Sequence, residues 1–167
     1  MNFKTIRIFA YALLTLIVTA CLVTAAHAAA ESNIDPEARW AWSANAGWIN
    51  FDPPHGGVTV CDDHLEGYAW GENIGWIRLG TIEGCDAHTY ANTNAANYGV
   101  NRSGDGTLSG YAWSTNAGWI HFDPEGGGVS IDARTGDFDG YAWSENTGWI
   151  HFNGSGPIAY RISIVIH

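Results

Sequence analysis

The chain has 167 residues, with 17 acidic against seven basic side chains and a net charge of −10 at neutral pH. A surface of this sign repels nucleic acid and anionic lipid headgroups, and leaves neutral glycans, cations or basic surfaces as counterparts. The same charge keeps a chain with 13% aromatic residues dispersed in water.

The N-terminal segment reads as targeting rather than fold. Lys4 and Arg7 precede an apolar stretch from Ile8 to Ala20, too short for a comfortable membrane span, and Ala26-His27-Ala28 has the small-x-small form of a cleavage site. A signal peptide is therefore expected over residues 1–28, with no transmembrane span in the mature form. Val18-Thr19-Ala20-Cys21 also resembles the bacterial lipobox, in which Cys21 carries a lipid anchor, although Leu22 to Ala30 stays apolar beyond it. Either route exports the protein to a secreted, periplasmic or outer-surface location. Loss of residues 1–28 removes Lys4 and Arg7, leaving five arginines against 17 acidic residues, a net charge of −12. Residues 29–38 read as a linker and 39–167 as one domain, which suits an ordinary domain length.

That domain is one phrase written four times: Trp40-Ala-Trp42-Ser-Ala-Asn45-Ala-Gly47-Trp48-Ile49-Asn50-Phe51, then Tyr68 to Leu79, Tyr111 to Phe122 and Tyr141 to Phe152. All nine tryptophans fall inside these units, and the period of roughly 30 residues marks a repeat architecture. Within each unit two short β-favouring runs flank an Asn-x-Gly turn, as in Ser144-Glu-Asn146-Thr-Gly148, which is hairpin chemistry. Further short strands are predicted at Val58–Val60, Val100 and Val129–Ile131, and a last one at Ile158–Ile166. Connectors rich in Pro and Gly, Asp52–Gly57 and Asp123–Gly128, join the units. The fold class is all-β: an antiparallel meander of four three-stranded hairpin repeats, propeller-like or stacked, with about twelve strands. A C-terminal strand docking beside the first hairpin would close a ring.

Period-two alternation puts Tyr141 and Trp143 on one face and Phe138, Gly140 and Ala142 on the other. Both faces are apolar, so the indoles of one unit are expected to pack on the Gly/Ala surface of the next, as in stacked blades. Fully burying a Trp contributes roughly 2–3 kcal/mol, enough for these rings to dominate the core. The irregular stretch 81–99 is an insertion on this scaffold, where binding residues often sit. Its Cys85 is expected to form a disulfide with Cys61, the remaining pair in an exported chain.

The phrase Gly-Tyr-Ala-Trp-Ser-x-Asn-x-Gly-Trp-Ile-x-Phe resembles the unit of exported bacterial β-repeat proteins, and the resemblance covers residues 39–166. It implies an extracellular β-repeat module and no activity. A looser similarity exists to Trp-rich, choline-binding cell-wall repeats, from which no ligand residue carries over because the period differs and Ile follows the second Trp.

Several residues are candidates for binding. Trp40 takes the position of the Tyr in other units and is expected to be more exposed. Asn50, Arg78, His121 and His151 share one position in successive units, and His88 and Tyr90 lie in the insertion. If neighbouring repeats bring His121 and His151 together, they would hold Cu or Zn, with His55, His64 and His88 as further donors. Asp62-Asp63, Asp105, Asp132, Asp137 and Asp139 sit in turns that offer oxygens to Ca2+ without completing a calcium loop. Ser43, Ser114 and Ser144 recur in the hairpin and read as structural, and no carboxylate pair stands out as a glycosidase's. No catalytic set is assigned. The expected function is a non-enzymatic exported module binding a glycan or another cell-envelope component. The alternatives are an assembly subunit that self-associates by strand addition through residues 158–167, and a periplasmic metal binder.

Overall fold

The computed structural model describes residues 31–166; the expected signal peptide, cleavage site and Cys21 lie outside them. The described chain is all-β and antiparallel. Its repeating hairpins are β1 (Ile34–Ser43) with β2 (Gly47–Asn50), β4 (His64–Gly71) with β5 (Gly75–Arg78), β7 (Leu108–Ser114) with β8 (Gly118–His121), and β10 (Phe138–Ser144) with β11 (Gly148–His151). Each hairpin pairs edge to edge with the next, and β11 returns to β1 through Trp42 and His151, closing an eight-membered barrel.

The remaining strands complete four of the barrel's staves. β3 (Gly57–Val60) pairs β4 below the point where β2 pairs it, and β6 (Val100–Arg102) likewise continues the line of β5 between β4 and β7. β9 (Gly128–Ile131) continues β8 along β10, and β13 (Tyr160–Ile164) continues β11 along β1. The two-residue β12 (Asn153–Gly154) pairs β13. Continuous staves thus alternate with broken ones. At the breaks after β2, β5 and β8 the pivot is an inward Phe51, Leu79 or Phe122, whose N–H donates to the carbonyl of Arg39, Gly67 or Gly110 and whose C=O accepts from Val58, Val100 or Val129. Gly67, Gly110 and Gly140 have φ of 85, 88 and 96° at the bend of their long strands. A Cβ there would come within 2.4 Å of the facing carbonyl oxygen, so only glycine fits.

The core fills the barrel in layers. Ala41, Ala69, Ala112 and Ala142 oppose Ile49, Ile77, Ile120 and Ile150 across each hairpin, all pointing inward and all buried. Phe51, Leu79, Phe122 and Phe152 form the next layer, and Val58, Leu65, Val100, Leu108, Val129 and Phe138 lie beyond it. The axial void left between the Ile and Phe/Leu layers is about 10 Å3, close to one water's space, so the barrel is packed rather than open. The turn residues Ala46, Ile74, Ala117 and Thr147 close the hairpin end.

The recurrent Asn and Ser stitch that end together. Asn45 donates to Thr147 O at 3.0 Å, Asn73 to Asn45 O at 3.1 Å, Asn116 to Ile74 O at 3.1 Å and Asn146 to Asn116 O at 3.5 Å, each reaching the preceding hairpin round the ring. Ser43, Ser114 and Ser144 make parallel bonds to Thr147 O, Ile74 O and Ala117 O. The structural reading of those serines therefore has a mechanism.

Three expectations are corrected. The repeats join edge to edge, so the indoles do not stack on Gly/Ala faces. The shallow Ala/Ile face lines the barrel and the tryptophans stand on its outer surface, seven of them 36–43% exposed. An eight-stranded barrel has room inside only for side chains of modest size. Trp40 is half-buried rather than more exposed, because it meets Trp48 at 6.4 Å and Trp48 in turn is covered by Tyr160 at 5.2 Å. The linker expected over 29–38 already belongs to β1 from Ile34, which pairs Ile164 of β13.

That pairing seats the C-terminal strand within the wall, with Ile162 fully buried, β1 on one side and contacts to Asn153, Gly154 and Asp137 on the other. Ile162→Ala is expected to cost about 2–5 kcal/mol in urea unfolding. Ile158→Ala, at a position 70% exposed, is expected to change stability by less than about 0.5 kcal/mol. Equal costs would contradict closure through β13.

Candidate functional site: an aromatic groove beneath the insertion

Each hairpin places two indoles directly opposite each other on the outer face, as in the pairs Trp70 with Trp76, Trp113 with Trp119 and Trp143 with Trp149. Their rings meet edge to face at 5.0, 4.7 and 4.9 Å, the preferred aromatic geometry. The segment that leaves each broken stave then lies against the second Trp of the following repeat. Gly56 and Gly127 approach Trp76 and Trp149 so closely that a Cβ would stand 2.7 Å from the ring. Tyr98 meets Trp119 at 4.9 Å, and Tyr160 meets Trp48 at 5.2 Å.

The insertion 81–99 occupies one of these breaks, bracketed by the Gly80–Gly99 bridge, and its length makes a groove of about 740 Å3 between the third and fourth repeats. Its lining takes Tyr98 from the end of the insertion, Tyr111, Trp113 and Trp119 from the third repeat, and Trp143, Glu145 and Asn146 from the fourth. Asn92, Thr93 and Asn94 of the insertion and Ala117 and Gly118 of the third turn complete its lining. This part of the insertion is held by its own polar bonds: Asn97 Nδ2 donates to Thr93 Oγ1 at 2.8 Å, and Asn92 Oδ1 accepts from Gly99 N at 3.0 Å. Burial raises the Tyr98 phenol above its ordinary pKa. The groove joins flat apolar rings to amide, hydroxyl, imidazole and carboxylate groups.

The expected binding position shared by Asn50, Arg78, His121 and His151 faces outward, opposite the first aromatic of each hairpin. His121 stacks on Tyr111 at 4.5 Å and His151 on Tyr141 at 4.2 Å, while the Arg78 guanidinium lies 5.8 Å from the Tyr68 centroid. Only His121 lines the groove; it also lies 2.9 Å from Asp123. Asn50 is buried and its Oδ1 accepts from Asp52 N at 2.9 Å, a local capping role. His121 and His151 are not brought together, because β10 runs between them and two strand spacings are roughly 10 Å, too far to share an ion.

Tyr90 is not presented to solvent. It is buried, with its hydroxyl 3.5 Å from Leu65 O and its pKa pushed up to about 12 by burial. His88 meets Tyr90 at 4.7 Å, and its N–H donates to Asp63 Oδ2 at 2.8 Å. Both residues anchor the insertion. The Cys61–Cys85 disulfide forms as expected, with Cα atoms 5.3 Å apart. The turn carboxylates cap their own backbone: Asp105 accepts from Ser103 Oγ at 2.6 Å and Thr107 N at 3.0 Å, holding its pKa at about 2, and Asp132 accepts from Arg134 N and Thr135 N. Trp40 lines a smaller recess of about 300 Å3 with Trp48, Tyr160, Glu37 and Glu72.

His64, one of the donors expected from the sequence, is buried with Cys61 and Glu66, a grouping not anticipated from it, and their ligand atoms lie within 4.8 Å of one another. The i, i+2 spacing of His64 and Glu66 places both on the outer face of β4, a signal that was available. No protein-family model, curated protein or solved structure matches this chain.

His151 links the fourth hairpin to the closing strand, because its Nδ1 lies 2.8 Å from the Tyr160 hydroxyl. Desolvation lowers its pKa below the usual 6.5, so the folded state favours the neutral ring. The stability this contributes is complete above the unfolded-state pKa and is lost as pH falls through 6.5 to the lowered folded value. NMR titration is expected to give His151 a pKa below 6.5, with the melting temperature falling over the same pH range.

Proposed function

We propose that the chain is a non-enzymatic, exported binding module whose groove between the third and fourth repeats takes a neutral glycan of the cell envelope or matrix. The observation that carries this reading is the exposure of Trp113, Trp119 and Trp143, at 37, 42 and 36%, in a concave site with Asn, Thr and Glu side chains at its edge. Indole faces stack against the C–H faces of sugar rings, while amides donate to and accept from hydroxyls and a carboxylate accepts from them. Bare aromatic surface of this kind is unfavourable in water unless something covers it. Its concavity and polar edge fit a small polar ligand better than a flat protein partner. The net charge of −10 argues against polyanions in the same place. The assembly alternative is less well supported, since β13 is paired along β1 and touches β12 and Asp137 on its other side.

The test is tryptophan fluorescence against a broad set of oligosaccharides, followed by titration with those that respond. Trp113→Ala and Trp143→Ala are each expected to weaken binding about tenfold, the equivalent of 1.4 kcal/mol and within reach of one aromatic contact. Trp76→Ala, on a different hairpin, is expected to leave the affinity unchanged. Absence of any response across the set, or equal effects of all three substitutions, would overturn the glycan reading.

A further inference from the structure

In the third and fourth repeats the positions corresponding to His64 and Glu66 are Thr107 and Ser109, and Asp137 and Asp139; in the second repeat the insertion covers this outer face of β4. His64 is fully buried and Glu66 is 3% exposed. Burying ionisable groups is costly unless their polar atoms find partners. Here satisfaction is incomplete. His64 Nδ1 lies 2.6 Å from Asp63 Oδ1, but its Nε2 is buried with no hydrogen-bond partner. Glu66 Oε2 accepts the Gly84 N–H. Both side chains stand beside Cys61 Sγ, and the three ligand atoms fall within 4.8 Å of one another.

A carboxylate bound to one ring nitrogen fixes a histidine's tautomer and leaves the other nitrogen's lone pair for a metal, the usual arrangement behind a metal-ligating imidazole. While Cys61 is bonded to Cys85 its sulfur is a poor donor. We propose that reduction of the Cys61–Cys85 disulfide converts this cluster into a four-donor site for Zn2+ or a similar borderline divalent cation, built from both thiolates, His64 Nε2 and the Glu66 carboxylate. Cys85 is exposed, which gives an external dithiol access to the bond. Two electrons and two protons pass from that dithiol to the two sulfurs, and the dithiol leaves as its own disulfide. Metal binding then releases both thiol protons to solvent. Bond lengths of 2.0–2.3 Å in a tetrahedral site put neighbouring donors roughly 3.3–3.8 Å apart. His64, Glu66 and Cys61, within 4.8 Å of one another, would need to draw in by roughly 1–1.5 Å to that spacing, and the two sulfurs, bonded in the disulfide, would need to separate to it once reduced. The ion would take over from the disulfide in fastening the start of the insertion to β4. This inference does not rest on the glycan reading.

The experiment titrates Co2+ and Zn2+ into the full chain before and after treatment with a phosphine or dithiol reductant. The oxidised protein is expected to bind neither ion stoichiometrically. The reduced protein is expected to bind one per chain, with a thiolate-to-cobalt charge-transfer band. His64→Gln and Glu66→Gln should each weaken binding at least tenfold, and Asp63→Asn by about 10–100-fold. No charge-transfer band at saturating Co2+, or an affinity indifferent to both His64→Gln and Glu66→Gln, overturns the proposal. Should the variants not fold, X-ray absorption of the wild-type zinc adduct decides: two sulfur and two nitrogen or oxygen neighbours support it, and any other set contradicts it. Sugar-induced fluorescence change, read on the oxidised protein, keeps this result separate from that of the groove.

Discussion

The inside of an eight-stranded barrel is narrow, and that space limit governs this molecule. Each hairpin sets an alanine opposite an isoleucine, as Ala112 faces Ile120, and four such pairs meet around the axis with almost no residual void. A tryptophan in place of any of these alanines would overfill the lumen, and overpacking of a dense core is itself destabilising. Because strand residues alternate in direction, an inward alanine forces its neighbours outward. Tyr111 and Trp113, on either side of Ala112, are placed on the surface by the residue between them.

From that constraint the rest follows locally. Hairpins closing onto a tight lumen bring their turns together, and the Asn of each turn, with the Ser of the first, third and fourth repeats, bonds to the preceding turn. The staves break where the chain pivots on Phe51, Leu79 or Phe122, and the released segments fold back over the outward indoles. Short Pro/Gly connectors meet one ring edge and stop, whereas residues 81–99 are long enough to add Asn92, Thr93, Asn94 and Tyr98 to a groove lined by the third and fourth repeats. The insertion is a variation at one of four similar breaks, carried by a scaffold whose symmetry is set by its lumen.

Much of this organisation was legible in the sequence. The repeat phrase pointed to the hairpins, the Asn-x-Gly turns, the strand after each connector and the irregular stretch between Leu79 and Val100, and the cysteine count pointed to the Cys61–Cys85 pair. The alternation of Tyr68 and Trp70 against Ala69 was also readable, but which side faces the core was not. Both faces are apolar, and the usual rule that bulk goes inside fails when curvature makes the inner face the smaller one. Closure was anticipated as a ring, yet the length of β1 was not, since Ile34–Ala38 carries no repeat signature and is a strand only because β13 pairs it. The separation of His121 and His151 depends on β10 running between the two strands, which spacing along the chain does not encode. The groove needed three distant segments to meet, and the buried His64 and Glu66 became unusual only once the insertion lay over them.

Accessibility of the indoles in the folded protein tests this account most directly. Acrylamide quenching of native tryptophan fluorescence, compared with the urea-unfolded chain, reports it without any substitution. The account predicts red-shifted native emission and quenching at a large fraction of the unfolded rate, with cooperative unfolding retained. Blue-shifted emission resistant to quencher would mean that the rings form the core, and would contradict the inward placement of the alanines and isoleucines.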